Sequence, residues 1–548
     1  MVDADDAGLA QASEVADYEQ LPYQSMPFDV TQPSHMAGIA RLFGLEPPPA
    51  ESARILELGC ASGGNIIPLA ARFPEASFTG IDLSSRHVEE AQASIARLGL
   101  ANIRVEKADI AAFVAPEQGF DYIICHGVYS WVPPAARDAI FKICARGLAG
   151  NGLAYISYNV FPGWHLRRVV RDMCLYHAGN EGSPNERVGR FRWLLSKLAT
   201  LSDESKFFGQ LLRHEAGETA KYGDSYILGE FLAPQNEPCY FHEFIDQASS
   251  HDLGFLSEAE LSLSVPELLG PDRSAFIREV AGESGLAIEQ YMDFITGRTF
   301  RRSVLARTDA LATRRVTREP IRGLYLSSRL VPKNDPLDAA DMTFEHGEAR
   351  ITTDNPAIKE AFLHLARIFP ANCSYAELAD LAAERSGLPR AQIERDLLQA
   401  VFRTSLAGQV RLSSVAQPVG RATDARPQLW PVARAQAEAG QSWLTSLTHE
   451  VVSTHPAMRW LMMKLDGLNG RAELEERMAE GIRSGEVVVK DVDPQLDDDR
   501  VRFAARVFLA RLLSEFERKA LLRPSANEAA SRHGRSSPAF PTSTQTPR

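Results

Sequence analysis

The sequence contains no long apolar run, few cysteines and no excess of positive charge. None of the apolar runs in its 548 residues reaches the roughly 18–20 residues that span a bilayer, and residues 1–8 are acidic, without the hydrophobic core of an export signal. The cysteines have neither the paired spacing of disulfide frameworks nor that of metal sites; they are Cys60, Cys125, Cys144, Cys174, Cys239 and Cys373. These absences predict a cytoplasmic protein without stable membrane insertion and without a metal site.

The charge balance is acidic. The chain has 59 Lys and Arg residues against 71 Asp and Glu residues, a formal net charge of −12. This balance argues against nucleic-acid binding, because phosphate contacts require clustered Lys and Arg. An acidic surface instead suits basic, lysine-bearing partners. The apolar fraction of 45% and the length indicate a globular protein of three or more structural units.

Short apolar strands alternate with amphipathic helices between residues 51 and 165, after a lead-in over 1–50. Strands are predicted at 54–58, 77–81, 103–107, 122–125 and 152–158, and helices at 65–73, 85–98 and 135–148. This alternation favours parallel pairing with right-handed crossovers. We therefore expect an α/β fold whose core is a Rossmann-like, doubly wound sheet.

Residues 166–285 are mainly helical and predict an insertion into this core. Two further strands, at 288–294 and 299–306, are separated by Gly297. We expect them to close the sheet as a segment over 286–310, which places the helical insertion between the fifth and sixth strands. A linking segment with a strand at 322–329 follows over 311–354.

The C-terminal part, residues 355–523, predicts a winged-helix-like α+β domain with additional helices. Three helices and then a strand, at 362–369, 375–386, 390–404 and 408–413, have the element order of a winged helix. Further helices are predicted at 434–438, 447–452, 458–465 and 500–522. Residues 524–548 are rich in Ser, Thr, Pro and Ala, and this composition predicts a disordered tail.

The loop between the first strand and the first helix points to a cofactor. It places Gly59 and Gly63 at the carboxyl edge of the sheet, where doubly wound folds bind ligands. The Gly-x-Gly-x-x-Gly pattern of dinucleotide sites is absent, because position 61 is Ala. The order Glu-x-Gly-x-x-x-Gly instead resembles class I methyltransferases, and a glycine turn that only packs a strand on a helix is the alternative. The residues that we assign here to S-adenosyl-L-methionine are Glu57, Gly59, Cys60, Ala61, Gly63 and Asn65.

Two acidic residues follow the second and third strands. Asp82 lies about twenty residues beyond the glycine loop, where a carboxylate can accept hydrogen bonds from both ribose hydroxyls. Its alternative role is the N-cap of the following helix, and both roles can hold together. Asp109 is assigned to the adenine amino group, with a solvated turn residue as the alternative. The neighbours Leu83 and Ile110, and His126 after the fourth strand, complete the predicted cofactor site.

Aromatic side chains follow the fourth and fifth strands at the same edge. The residues that we assign to the region around the transferable methyl group are Tyr129, Trp131, Tyr158, Asn159 and Trp164. Adjacent aromatic residues of the core are the alternative. The sequence contains no convincing general base. His126 and His165 are candidates, although a lone histidine near an apolar strand is more often structural.

Several further segments resemble class I methyltransferases that carry a methyltransferase regulatory domain, a family that includes rickettsial protein lysine methyltransferases. They are YNVFPGWHLR (158–167), RDM (171–173), EFL (230–232), NEPCYFHEF (236–244) and QYMDF (290–294). The resemblance implies a Rossmann core, helical regulatory and dimerisation regions over 166–285, a homodimer and a protein acceptor. It also implies a C-terminal winged-helix-like domain, which residues 434–466 resemble.

Three functions remain open from the sequence. The first is a protein methyltransferase acting on lysine, since an aromatic pocket would lower the pKa of lysine by desolvation and hold methylammonium by cation–π contact. The second is a methyltransferase for a small-molecule or lipid-linked acceptor. The third is a catalytically silent cofactor-binding regulator, which the presence of Glu57, Gly59, Gly63 and Asp82 disfavours.

Overall fold

The computed structural model describes residues 24–311, 316–333, 341–490, 492 and 497–524. They fall into two compact units. The first ends at Thr317 and the second begins at Arg318, with Leu406–Gly408 grouped with the first. The tail beyond Pro524 and the lead-in over 1–23 lie outside the described residues, so the expectation of a disordered tail stays a prediction.

The first unit is built on a seven-stranded sheet with the strand order β3-β2-β1-β4-β5-β7-β6. Its strands are β1 (Arg54–Leu58), β2 (Ser77–Asp82), β3 (Ile103–Lys107), β4 (Phe120–Cys125), β5 (Leu148–Asn159), β6 (Leu253–Glu258) and β7 (Phe300–Arg307). Strands β1 to β5 pair in parallel, and β7 is antiparallel to β5 and β6. This topology confirms the predicted doubly wound sheet. Because β1 pairs with β2 on one side and β4 on the other, the carboxyl ends of β1 and β4 form the crevice where such sheets bind ligands.

Helices connect the strands of this unit. They are α1 (Pro33–Leu42), α2 (Ile66–Arg72), α3 (Ser85–Leu98), α4 (Pro134–Gly147), α5 (Gly163–Ala178), α6 (Pro184–Leu201), α7 (Phe207–Thr219), α8 (Asp224–Phe231), α9 (Phe241–Ser249), α10 (Pro271–Ala281) and α11 (Gly285–Thr296). Helices α2, α3 and α4 link consecutive strands and pack on the sheet. Strand β4 is buried along its whole length, which explains its apolar run over residues 122–125.

The helical insertion lies between β5 and β6 and is shorter than the predicted 166–285, because β6 begins at Leu253. Helices α5 to α8 share an apolar core of their own, in which Val170, Phe191, Leu212 and Phe231 are almost completely buried. Burial of this apolar area stabilises the insertion without help from the sheet core.

The sixth strand is not the predicted one. Residues 288–294 belong to α11, which begins after an N-cap hydrogen bond from the Ala287 amide to the Ser284 hydroxyl and ends at Gly297 with a φ of 61°. The β-branched and aromatic residues of this segment favoured a strand. Its apolar residues, however, recur every three or four positions, which suits a helix. The sixth strand is β6, which sequence reasoning missed because Gly and Glu are uncommon in strands.

The second unit contains short strands and helices. Its strands are β8 (Tyr325–Ser327), β9 (Val331–Pro332), β10 (Met342–His346), β11 (Ala349–Thr353), β12 (Cys373–Ser374), β13 (Arg411–Ser413), β14 (Gln428–Leu429), β15 (Trp443–Thr445), β16 (Val451–Ser453) and β17 (Leu522–Arg523). Its helices are α12 (Pro356–Ile368), α13 (Tyr375–Ser386), α14 (Arg390–Leu406), α15 (Pro431–Glu438), α16 (Pro456–Met462), α17 (Arg471–Arg483) and α18 (Asp498–Arg518).

Most of the predicted C-terminal elements are present. Helices α12 to α14 followed by β13 match the three helices and strand expected from the sequence. The helix predicted at 447–452 is wrong. A turn with His449 at a φ of 63° precedes β16, which pairs with β15, because Val451 and Val452 favour an extended backbone.

The cysteines of the described residues are all free thiols. Over the same residues, no helix combines the length and apolar character needed to cross a membrane, and no group of three or more His, Cys, Asp or Glu side chains is arranged to hold a metal ion.

A buried guanidinium joins β6, β7 and α11. Arg301 on β7 is completely buried and lies 2.8 Å from Glu258, 3.1 Å from Glu289 and 2.8 Å from Asp293. Its guanidinium also lies 4.0 Å from the centre of the Phe241 ring. Burial disfavours the charge, yet the three carboxylates raise the pKa of Arg301 well above its ordinary value.

Replacement of Arg301 by methionine is expected to lower the free energy of unfolding of the first unit by about 3–5 kcal/mol, because the buried carboxylates lose their cation. Chemical denaturation followed by circular dichroism measures the loss. The control is Arg278→Met, which breaks a half-exposed ion pair with Glu267 and should cost less than about 1 kcal/mol. Equal losses in the two variants would contradict the structural role of Arg301.

Candidate active site

A cavity of about 620 Å³ lies at the carboxyl edge of the sheet. It brings together most of the residues predicted from the sequence. Those that line it are Glu57, Gly59, Cys60, Ala61, Asn65, Asp82, Leu83, Asp109, Ile110, His126, Trp131, Asn159 and Trp164. The predicted residues Gly63, Tyr129 and Tyr158 do not line it.

Glu57 is buried at the end of β1 with one oxygen satisfied and the other not. Asn65 Nδ2 donates to Glu57 Oε1 at 2.8 Å, whereas Glu57 Oε2 has no hydrogen-bond partner among the described residues. The Asn65 carbonyl oxygen accepts from the Phe28 amide and the Thr31 hydroxyl, each at 3.0 Å. Burial raises the pKa of Glu57 to about 8. A cationic group placed beside Oε2 would therefore stabilise the ionised carboxylate.

The glycines of the loop serve close packing. Gly59 has a φ of +67°, and a Cβ built on it would lie 2.5 Å from Val128 Cγ2. Gly63 has a φ of +78°, and its Cβ would meet Ile67 Cδ1 at 2.5 Å. Gly63 therefore shapes the turn into α2 and does not line the cavity, and its assignment to the cofactor stays a prediction.

Each oxygen of the Asp82 carboxylate accepts a hydrogen bond from a backbone amide. Asp82 Oδ2 accepts from the Ala61 amide at 2.8 Å, and Oδ1 accepts from the Ser84 amide at 2.9 Å. The N-cap of α3 is Ser84, whose hydroxyl accepts from the His87 amide, so Asp82 does not fill the capping role considered above. Asp109 is exposed to the cavity and accepts from the Ala111 amide at 2.9 Å, which makes it a turn residue as well.

His126 is neutral at physiological pH. Its ring stacks on Phe28 with centroids 3.6 Å apart, and Nδ1 lies 2.8 Å from the Tyr155 hydroxyl. Burial, followed by the charge of Arg302, lowers the pKa of His126 to about 3. His165, the other candidate base, is exposed, stacks on Phe161 and does not line the cavity.

The aromatic residues divide between the cavity and the core. Trp131 and Trp164 line the cavity and pack edge to face, with centroids 6.4 Å apart. Asn159, at the end of β5, lines it too and donates from Nδ2 to Asn236 at 3.1 Å. The last strand residues of β5 point to alternate faces, so this side of the sheet presents Asn159 and not its neighbour.

Tyr158 and Tyr129 pack in the core and do not line the cavity, so their assignment to the methyl-transfer region stays a prediction. The Tyr158 ring stacks on Phe244 at 3.8 Å, and its hydroxyl bonds to Ser303 at 3.0 Å. The Tyr129 hydroxyl donates to Gln247 Oε1 at 2.6 Å, and its ring is 1% exposed.

Sequence reasoning missed three groups of lining residues. They are Ser25, Met26 and Phe28 before α1; Arg167, Tyr222, Tyr226, Gly229 and Glu230 of the helical insertion; and Thr299, Phe300 and Arg302 at the start of β7. The segment before α1 contacts the glycine loop directly, since the Gly64 amide donates to the Ser25 hydroxyl at 2.8 Å. The sequence held signals for two members of the second group, because Arg167 ends one segment that resembles a known family and Glu230 opens another.

Three protein families match parts of the chain. The methyltransferase domain family matches residues 55–152, the predicted methyltransferase regulatory domain matches 223–307, and the PKMT C-terminal winged helix domain matches 425–521. The winged-helix match lies C-terminal to the three helices from which the sequence predicted such a domain.

Two relatives match nearly the whole chain, and a third matches part of it. The chain is 31% identical to protein RP789 of Rickettsia prowazekii (strain Madrid E) over 520 residues, 92% of this chain and 93% of that protein. It is also similar to PKMT2 from Rickettsia typhi, solved in complex with AdoHcy, with 25% identity and a TM-score of 0.81 over 91% of this chain and 100% of the other. A trans-aconitate 2-methyltransferase of Methylobacterium nodulans is 32% identical over 138 residues, 25% of this chain.

The substitution Gly59→Val is expected to abolish measurable binding of S-adenosyl-L-methionine. A β-branched residue is strained at a φ of +67°, and its side chain would displace Val128 at the cavity wall. Isothermal titration calorimetry measures the affinity. Gly189→Ala, at a helical site with open space around the new Cβ, is the control and should bind normally. Native affinity in Gly59→Val would show that this loop does not border the cofactor.

Proposed function

We propose that this chain methylates the side-chain amine of lysine in a protein acceptor. The chain belongs to the S-adenosylmethionine-dependent methyltransferases with a methyltransferase regulatory domain and a PKMT-type winged helix. S-adenosyl-L-methionine is its methyl donor. The observation that carries the choice of acceptor is the composition of the cavity. It is lined by the glycine loop, by Trp131 and Trp164, and by further residues of the helical insertion.

The residues of the sheet edge fit this cofactor. The unpartnered, buried oxygen of Glu57 suits the ammonium group of the methionine part. Asp82 accepts two backbone hydrogen bonds and retains lone pairs for the ribose hydroxyls. Asp109, further along the edge, can accept from the adenine amino group. The bound cofactor supplies a methyl group on a sulfonium, which is open to in-line attack by a nucleophile.

The other end of the cavity fits an amine acceptor. Methyl transfer requires a positioned, deprotonated nucleophile more than strong acid catalysis. The indoles of Trp131 and Trp164 can desolvate an entering amine, which lowers its pKa, and can hold an alkylammonium by cation–π contact. His126 is the one histidine of the two candidates that lines the cavity, and its low pKa makes it a weak proton acceptor. A homodimer and a cytoplasmic location stay predictions.

The proposed acceptor is tested by incubating the protein with S-adenosylmethionine labelled in the methyl group and a dialysed bacterial lysate. We expect label in the protein fraction, and methylated lysine after acid hydrolysis. The Gly59→Val variant is the control and should transfer none. Label only in small molecules or lipid extracts, or on another amino acid, would reject the lysine proposal.

A second prediction concerns the ribose contact. Asp82→Ala should weaken S-adenosyl-L-methionine binding by roughly 1.5–3 kcal/mol, because the ribose hydroxyls lose a charged acceptor. Asp82→Asn keeps one acceptor oxygen and should lose less. Calorimetry measures both, with Asp138→Ala on the exposed surface of α4 as a control. Unchanged affinity in a folded Asp82→Ala protein would move the ribose contact to another residue.

A further inference from the structure

One carboxylate that lines the cavity comes from the helical insertion, where aromatic residues line the cavity as well. Glu230 is half-buried on α8 and lines the cavity together with Tyr226 of the same helix and Tyr222 just before it. The rings of Tyr222 and Tyr226 stack with centroids 4.1 Å apart. Trp164 on α5 lines the same cavity. This combination of one carboxylate and several π faces is suited to an organic cation.

The carboxylate of Glu230 lacks a direct polar partner among the described residues. Within the described ranges, its carboxylate makes no hydrogen bond and no ion pair. The two nearest cations have other partners. Arg167 Nε lies 3.5 Å from Glu215, with its guanidinium 5.6 Å from the Trp164 ring centre, and Arg171 donates to the Ala233 carbonyl. A carboxylate that lines a cavity without a direct polar partner favours a ligand that supplies one.

The pKa of Glu230 is shifted in the direction that a bound cation would reverse. Burial raises the pKa of Glu230 to about 7, although the charges of Arg167 and Arg171 act in the opposite direction. An ammonium group entering the cavity would favour the ionised form of the carboxylate.

We propose that Glu230 determines acceptor specificity: its carboxylate binds the ammonium form of a primary amine at the aromatic wall and takes up the proton that the amine loses before its nitrogen attacks the methyl group. The inference rests on the proposed function and names the group that recognises the acceptor. An anionic acceptor would meet a like charge at Glu230, and a neutral alcohol would gain no charge attraction there.

The experiment uses n-butylammonium as a probe of the lysine side chain and n-butanol as its neutral counterpart. The full-length protein is saturated with S-adenosyl-L-methionine, and binding of each probe is followed by ligand-detected NMR. We expect the wild type to bind n-butylammonium more tightly than n-butanol. Glu230→Gln should weaken n-butylammonium binding roughly 10- to 100-fold, the loss of one hydrogen bond between charged groups, and leave n-butanol binding unchanged. Glu230→Asp should recover part of the preference.

A matched control separates recognition from general charge effects. Glu218→Gln removes the same charge from the helical insertion, but Glu218 pairs with Lys221 and does not line the cavity. It should bind both probes as the wild type does. Cofactor affinity and melting temperature are measured for every variant. If Glu230 only balances Arg167, Glu230→Gln will melt earlier and keep its preference for n-butylammonium, which would overturn the proposal.

The two proposals fail in different ways. If the wild type shows no preference for n-butylammonium, the role of Glu230 is rejected even where the lysate assay labels lysine. If the preference depends on Glu230 but the lysate contains no methylated lysine, the amine recognition stands and the acceptor is a different amine.

Discussion

The ion pairs of Arg301 fix the part of the sheet on which the cavity depends. They hold β7 against β6 and α11, and Asp293 of the same cluster also pairs with Arg298 at 3.2 Å. The carbonyl groups of Arg298 and Thr299 then accept from the Gly163 and Val160 amides at the junction of β5 and α5. These bonds connect the start of the helical insertion to the strand that carries Arg301. Removing one partner from such a cluster is costly, because it leaves an uncompensated buried charge.

The cavity is lined by two sets of side chains that come from distant parts of the chain. The sheet edge contributes carboxylates held by backbone amides, as Asp82 is held by Ala61 and Ser84. The insertion contributes aromatic rings and Glu230. Rigid carboxylates at the sheet edge suit one invariant cofactor, whereas a wall built from an insertion can differ between enzymes without disturbing the sheet.

The sequence predicted the sheet edge well because its signals are local. The loop from Glu57 to Asn65 and the acidic residue Asp82 follow directly from strand ends. The aromatic wall was predicted only in part, since Tyr158 and Asn159 are adjacent on β5 and only the pairing with β7 decides which of them borders the cavity. Glu230 lies far along the chain from the loop, and no pattern in its own segment places it there. Such positions depend on tertiary packing, which periodicity does not encode.

The burial of Cys60 has a consequence for chemical modification. This thiol lines the cavity in the middle of the glycine loop, but it is 3% exposed, and burial, with the charges of Glu57 and Asp82, raises its pKa well above the ordinary value. Alkylating and oxidising reagents attack the thiolate, which is scarce under these conditions. The predicted cofactor loop thus contains a nucleophilic atom that is kept in its unreactive form, so it would not compete with an acceptor for the methyl group.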